Sequence, residues 1–336
     1  MLNGHGDDIY KYNTEIVSNF SSNIYNRLDM SPLQTYLCQQ IKTIHTYPEP
    51  DADSLAILLA EKHNVSTDNL CITNGATEAI YLIAQAFKGK KGAILIPTFS
   101  EYEDACRIND IQLQFISSLT EMEKGTELLW FCNPNNPTGT IIDKQTIISF
   151  IESNPDTTII IDQSYQYFST KKTLSIAEAV QYPNVITLHS MTKQFAIPGL
   201  RLGYLTASER QTEKIKKYCM PWSVNQLAVL AGKYLLKNDL SASFNIDSYL
   251  KESRWLQDEL TKIEGLDVLP SETHFFLCLL KNQKASELKN YLIESHGILV
   301  RDAANFRGLD ERYFRLATQS EKENEILIDA IKEWVK

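Results

Sequence analysis

Residues 127–139 read Glu127-Leu128-Leu129-Trp130-Phe131-Cys132-Asn133-Pro134-Asn135-Asn136-Pro137-Thr138-Gly139. The run from Glu127 to Phe131 has the length of a strand and is cut off by two Asn-Pro steps and a glycine, so it reads as a buried strand rather than a helix. Proline fixes φ and withholds an N–H, and the residue before it is pushed out of the helical region. An ordered, non-helical loop must therefore follow the strand directly. In an open α/β sheet that is the end where ligands bind. A plain turn could use the same prolines and glycine, but would not need both Asn side chains.

Six more short runs rich in Ile, Leu, Val and Thr surround this one: Leu70 to Thr73, Ala93 to Ile96, Gln112 to Ile116, Thr158 to Asp162, Val185 to His189 and Arg201 to Thr206. Between them apolar residues recur at helical spacing, as in 53–63 (Leu55, Leu58, Leu59) and 77–87 (Ile80, Ile83, Phe87). Strands alternating with helices are the signature of crossover units and a mainly parallel sheet. After Lys217 the texture changes. Long helical patterns over 224–236 and 246–263 lead to short strands at Phe275 to Leu280, Ile298 to Arg301 and Arg312 to Ala317, then a final helix from Gln319. The expected fold class is α/β: a large domain with a mainly parallel seven-stranded sheet, plus a smaller α+β domain. The expected division is an arm or part of the small domain over 1–25, the large domain over 26–222 and the small domain over 223–336.

A chain of 336 residues allows roughly two domains at about 150 residues each. Its net charge of −9 is a poor match to a phosphate-backbone binder, so nucleic acid is not an expected partner. No apolar stretch approaches bilayer length, and no membrane association is expected. Met1-Leu2-Asn3-Gly4-His5-Gly6-Asp7-Asp8 lacks the basic start and apolar centre of a signal peptide, which points to a cytoplasmic location. The six cysteines are scattered singly and read as reduced core residues. The six histidines pair with no other ligand type at metal spacing, and no metal is expected.

Four further stretches carry chemistry, each with a plain reading beside it. Thr73-Asn74-Gly75-Ala76-Thr77-Glu78 turns from strand to helix and leaves amides free for an anion, unless Thr77 or Asn74 merely caps the helix. Asp162 closes a β-rich strand, with the phenol of Tyr165 three residues on; a lone Asp there is most often a cap. Lys193, in Ser190-Met191-Thr192-Lys193-Gln194-Phe195-Ala196-Ile197-Pro198-Gly199-Leu200-Arg201, sits in a nearly uncharged stretch that could desolvate its amine into a nucleophile. The plain alternative is a snorkelling surface lysine. Arg315 lies in Arg312-Tyr313-Phe314-Arg315-Leu316-Ala317 and could be a strand arginine in a surface ion pair.

Taken together and in this order, these motifs resemble the fold type I pyridoxal phosphate enzymes of aminotransferase class I/II, over nearly the whole chain. The resemblance implies the pyridoxal-phosphate-dependent transferase fold and pyridoxal 5′-phosphate as cofactor. It makes Lys193 the lysine that holds the cofactor covalently and shuttles the proton, with Asp162 facing the pyridine nitrogen. Asn136 and Tyr165 would bond the ring's 3-hydroxyl, and Tyr102 would stack on the ring. Ala76, Thr77, Ser190 and Arg201 would hold the cofactor phosphate, and Tyr47 would reach the phosphate of a neighbouring subunit in a homodimer with shared sites. Arg315 resembles the arginine that takes a substrate carboxylate. The stretch Asp162-Gln163-Ser164-Tyr165 departs from the Asp-Glu-Ala-Tyr of many relatives only in its middle two residues.

Within the superfamily the nearest resemblance is to the threonine-phosphate decarboxylases of cobalamin synthesis, carried by Gly4-His5-Gly6-Asp7, residues 19–24, residues 97–102 and residues 308–315. Slightly further off are the histidinol-phosphate aminotransferases. The decarboxylases commonly show His-Gly-Gly and Ser-Ala-Asn-Ile-Asn-Pro, from which Asp7 and Tyr25-Asn26 depart. Both enzymes take a phosphorylated amino substrate, so a second anion site is expected, with His5, Asn23 and Arg301 as candidates. The plain reading of His5 is a disordered terminal residue. A catalytically inactive relative used as a binding module would be expected to lack Lys193 or Asp162, and both are present.

Overall fold

The computed structural model describes residues 6–25, 27–238 and 245–335. His5, a candidate from the sequence, lies outside the described residues.

The strands in chain order are β1 (Ser18–Asn19), β2 (Leu70–Thr73), β3 (Lys91–Leu95), β4 (Gln112–Ile116), β5 (Leu128–Cys132), β6 (Thr158–Asp162), β7 (Val185–Ser190), β8 (Gly203–Ala207), β9 (Leu266–Val268), β10 (Phe275–Leu280), β11 (Ile298–Leu299), β12 (Arg301–Asp302) and β13 (Tyr313–Ala317). All seven runs read as strands in the first two thirds of the chain form one sheet, in the order β2-β8-β7-β6-β5-β3-β4. It is parallel from β4 to β7, whereas β8 runs antiparallel to both β7 and β2. The cause is the short link over 191–202: one helical turn and a 3₁₀ turn fold the chain back instead of carrying it across the sheet.

That reversal matters for position. It aligns the carboxyl ends of β2, β5, β6 and β7 with the start of β8 on one edge, where Thr73 and Ser190 are both register partners of Gly203, and Cys132 of Asp162. Strands β5, β6 and β7 are buried throughout, as expected of a sheet covered on both faces. Side chains alternate between the faces. Leu128, Trp130 and Ile160 join one cluster with Ile80 and Ile83 of helix Gly75–Ala86, and Leu129, Phe131, Ile159 and Ile161 join another with Ile147 and Ile151 of helix Lys144–Ser153.

In the last third, β12, β13, β10 and β9 form a four-stranded antiparallel sheet packed with Phe20 and helices Ile246–Thr261, Ala285–His296 and Glu321–Val335. The run read as one strand from Ile298 to Arg301 is divided: β11 pairs in parallel with β1, and β12 pairs with β13. Helix Gln226–Lys237, grouped by its texture with the C-terminal unit, packs instead through Ala228, Val229 and Leu235 against Leu33, Leu55 and Leu59. No helix among the described residues is long and apolar enough to cross a membrane.

Candidate active site

A cavity of about 530 Å³ opens along the sheet edge just described. The Asn-Pro-Asn-Asn-Pro loop forms one wall, and its asparagines divide the work. Asn133 bonds the backbone of Ile142 in both directions, and Asn135 accepts from Thr98 and donates to the carbonyl of Pro97. With those two fixing the loop, Asn136 is left to face the cavity, where its Oδ1 accepts from Arg315 Nη1 at 2.5 Å.

Asp162, buried at the end of β6, accepts from the Ser164 amide at 2.8 Å and from the Tyr102 hydroxyl at 2.6 Å. Burial raises its pKa, and the Ser164 and Tyr102 bonds only partly oppose this. A carboxylate held there gains from a cationic partner. Tyr102 lies stacked on Trp130, with ring centroids 5.6 Å apart.

Lys193 stands on a single helical turn, Met191–Gln194, directly after β7. Its Nζ donates to Asn23 Oδ1 at 3.4 Å, and Asn23 Nδ2 donates to the Tyr165 hydroxyl at 2.7 Å. Burial, then the charges of Arg315 and Arg201, lower the amine from 10.5 to about 8. An amine with that pKa gives up its proton far more readily than an ordinary lysine, as suits a nucleophile or proton carrier. Asn23, expected at a phosphate seat, thus sits between the lysine and the phenol.

A second group gathers where β2, β7 and β8 meet. The helix Gly75–Ala86 begins two residues earlier than expected, and no side chain caps it; the Glu78 carboxylate reaches back to the Asn74 amide instead. Ala76 and Thr77 therefore keep a helix amino end open beside the cavity, close to the Ser190 and Thr192 hydroxyls, which bond each other at 2.7 Å. Gly75 has φ +78, and a Cβ there would lie 2.7 Å from Arg201 Nη2, so glycine lets the guanidinium lie against the turn. A Cβ on Gly203 would lie 2.5 Å from the Ala76 nitrogen. This is a cradle of amides, hydroxyls and one guanidinium, chemically suited to a phosphate.

Arg301 and Arg315 are register partners across β12 and β13, so two guanidinium groups enter the cavity from adjacent strands. Arg315 is 4 % exposed; its Nη2 donates to the Ser21 carbonyl at 2.5 Å, and its Nε has no partner. Burial lowers its pKa to about 10. Arg301 donates to Asn305 Oδ1 at 2.7 Å and lies over the Phe306 ring.

Of the residues singled out from sequence, Ala76, Thr77, Tyr102, Asn136, Asp162, Tyr165, Ser190, Lys193, Arg201, Asn23, Arg301 and Arg315 line this one cavity. Tyr47 does not; it is 84 % exposed and packs on Trp222 with centroids 5.3 Å apart. Sequence reading passed over Thr192 and Ser21. The first could have been found as a hydroxyl two residues from Ser190, whereas Ser21 contributes a carbonyl that every residue carries. Among the described residues no group of three or more His, Cys, Asp or Glu is disposed to hold a metal ion.

A sequence model of the family described as Aminotransferase class I and II matches residues 15–331. The solved structure of an L-threonine-O-3-phosphate decarboxylase from Porphyromonas gingivalis is 36% identical and superposes with a TM-score of 0.93, over 95% of this chain and 99% of that one. The threonine-phosphate decarboxylase of Salmonella typhimurium is 30% identical, over 93% of this chain and 90% of the relative. The histidinol-phosphate aminotransferase of Caldanaerobacter subterraneus is 32% identical, over 87% and 86% respectively.

Proposed function

The chain belongs to the aminotransferase class I and II family, and from that premise we propose that it decarboxylates O-phospho-L-threonine to 1-aminopropan-2-yl phosphate with pyridoxal 5′-phosphate as cofactor. The observation that carries the reading is the pair of arginines on adjacent strands, Arg301 and Arg315. O-phospho-L-threonine bears a carboxylate and a phosphate on one small molecule, and two guanidinium groups in one cavity match two anions. The 36% identical decarboxylase structure supports the same substrate.

The cofactor would be held at its phosphate by the amides of Ala76 and Thr77, the hydroxyls of Ser190 and Thr192, and Arg201. Asp162 would meet its pyridine nitrogen, Tyr102 its ring face, Asn136 and Tyr165 its 3-hydroxyl, and Lys193 would hold it covalently. When bound it supplies an electron sink conjugated with the substrate's Cα. Arg315 would grip the carboxylate as a bidentate pair and so fix which Cα bond stands perpendicular to that sink. Decarboxylation would then release the carboxylate as carbon dioxide and leave Cα to take a proton in its place. Lys193 Nζ is the group to deliver the proton that replaces it. Arg301, with His5, would take the phosphate end. Asn23, bonded to both Lys193 Nζ and the Tyr165 hydroxyl, would hold the two in place.

The working unit is a homodimer. Tyr47 and Trp222, with exposed Ile41, Ile44 and Met220 on the same segments, form an apolar surface, and Tyr47 would reach the partner's cofactor phosphate. The reaction belongs in the cytoplasm and needs neither membrane nor nucleic acid. The 32% identical aminotransferase keeps a second reading in view, amino transfer from histidinol phosphate. Incubation with O-phospho-L-threonine and no keto acid, read by phosphorus NMR, separates them. Aminopropanol phosphate supports decarboxylation; its absence alongside amino transfer from histidinol phosphate refutes it.

A further inference from the structure

Cys71, inside β2, and Cys219, just past helix Glu209–Lys216, are 148 residues apart in the chain, and their sulfurs lie 3.4 Å apart. Neither lines the cavity described above. Cys71 is buried and Cys219 half-buried; elsewhere Cys106, Cys132 and Cys278 are buried and Cys38 is exposed. We propose that Cys71 and Cys219 are a redox couple, which a hydroperoxide closes to a disulfide and a thiol reductant reopens.

The geometry assigns the roles. A disulfide needs its sulfurs at about 2.05 Å, so closure asks for a movement of only about 1.4 Å. Cys219 is the more accessible of the two, and its hydrogen bond with Cys71 lowers its pKa, while the same bond and burial raise that of Cys71. Cys219 is therefore the thiol placed to meet the oxidant first, reacting in its thiolate form. Its sulfur attacks one peroxide oxygen, the O–O bond breaks, and the leaving alkoxide takes a proton to become an alcohol, or water from hydrogen peroxide. Cys219 is then a sulfenic acid. Cys71 gives up its proton, attacks the Cys219 sulfur and displaces hydroxide, which leaves as water. Two thiols have lost two electrons, and the peroxide has gained them.

The couple is wired to the anion cradle. Four residues beyond Cys219, the Ser223 hydroxyl donates to the Glu78 carboxylate at 3.2 Å, and that carboxylate also holds the Asn74 amide at the start of helix Gly75–Ala86. Trp222 stands between, against Tyr47. Drawing Cys219 toward β2 shifts this segment, and Trp222 fluorescence should report it.

The test uses the full-length chain with Cys38→Ser, which removes the exposed thiol, treated with hydrogen peroxide and then unfolded for thiol titration. Free thiols should fall by two, the intact mass by two hydrogens, and a digest should contain a 71–219 cross-link that dithiothreitol reverses, with a matching reversible change in tryptophan emission. Cys219→Ser should abolish the cross-link. Cys71→Ser should leave Cys219 as a sulfenic acid captured by dimedone. Retention of both thiols, a cross-link through Cys106, Cys132 or Cys278, or dimedone capture at Cys71 rather than Cys219 in the respective single variants would overturn the proposal.

Discussion

Arg315→Lys keeps a positive charge on β13 and removes the planar fork. The guanidinium already gives one N–H to Asn136 and one to the Ser21 carbonyl, leaving Nε and the remaining Nη hydrogens for a carboxylate. An ammonium has three donors and no fixed plane, so it cannot keep both internal bonds and also form two parallel bonds to a substrate. The loss is then at least one charge-assisted hydrogen bond, about 1.5–3 kcal/mol. At 1.4 kcal/mol per power of ten, kcat/KM for O-phospho-L-threonine should fall roughly 10- to 150-fold. The product has lost the carboxylate, so its inhibition constant should hold within about twofold. The assay is steady-state decarboxylation with product inhibition measured on both proteins. A product constant that weakens as much as kcat/KM would show that Arg315 does not read the carboxylate.

Arg301→Gln should act at the other end: binding of phosphothreonine and of the product should weaken about 10-fold or more, with slow turnover of unphosphorylated threonine unchanged. Equal losses on both substrates would remove Arg301 from the phosphate seat. The purified protein should be yellow, and Lys193→Ala should lose the absorbance of the covalently held cofactor; borohydride labelling that persists at another lysine would sink the assignment. Neither Lys193→Ala nor Tyr47→Ala homodimers should be fully active, yet hybrids formed by mixing them should regain activity in one site, which a demonstrably active monomer would contradict. The buried lysine also predicts a pH effect in the cofactor-free protein. Its pKa is about 8 when folded and near 10.5 when unfolded, so between those values the unfolded chain binds the extra proton and stability rises with pH. Lys193→Met should flatten that rise in chemical denaturation; an unchanged slope would mean the amine is not buried in solution.

The large sheet was legible because its central strands are buried on both faces and read as unbroken apolar runs ended by Pro, Gly or Asp. The direction of β8 was not, since it depends on how tightly residues 191–202 fold. Motifs located Lys193, Asp162, Asn136 and Tyr165 because each stands at or just beyond a strand end, where local spacing and tertiary position coincide. The rest needed contacts between distant residues. Asn23 meets Tyr165 across 142 residues, and no local pattern announces that bond. The facing of Arg301 and Arg315 depends on the antiparallel register of β12 with β13, which a spacing of fourteen residues does not specify. The helix Gly75–Ala86 shows the reverse case: Thr77 and Asn74 are ordinary caps by residue type, yet neither side chain caps it, and Glu78 takes the Asn74 amide instead.

In the proposed reaction this cavity directs the substrate's carboxylate, rather than its Cα hydrogen, toward the electron sink. Carboxyl-labelled O-phospho-L-threonine, given to the purified protein without any keto acid, tests this most directly. Labelled carbon dioxide should be released in equal amount to 1-aminopropan-2-yl phosphate. No labelled carbon dioxide, together with rapid amino transfer between histidinol phosphate and 2-oxoglutarate, would contradict it.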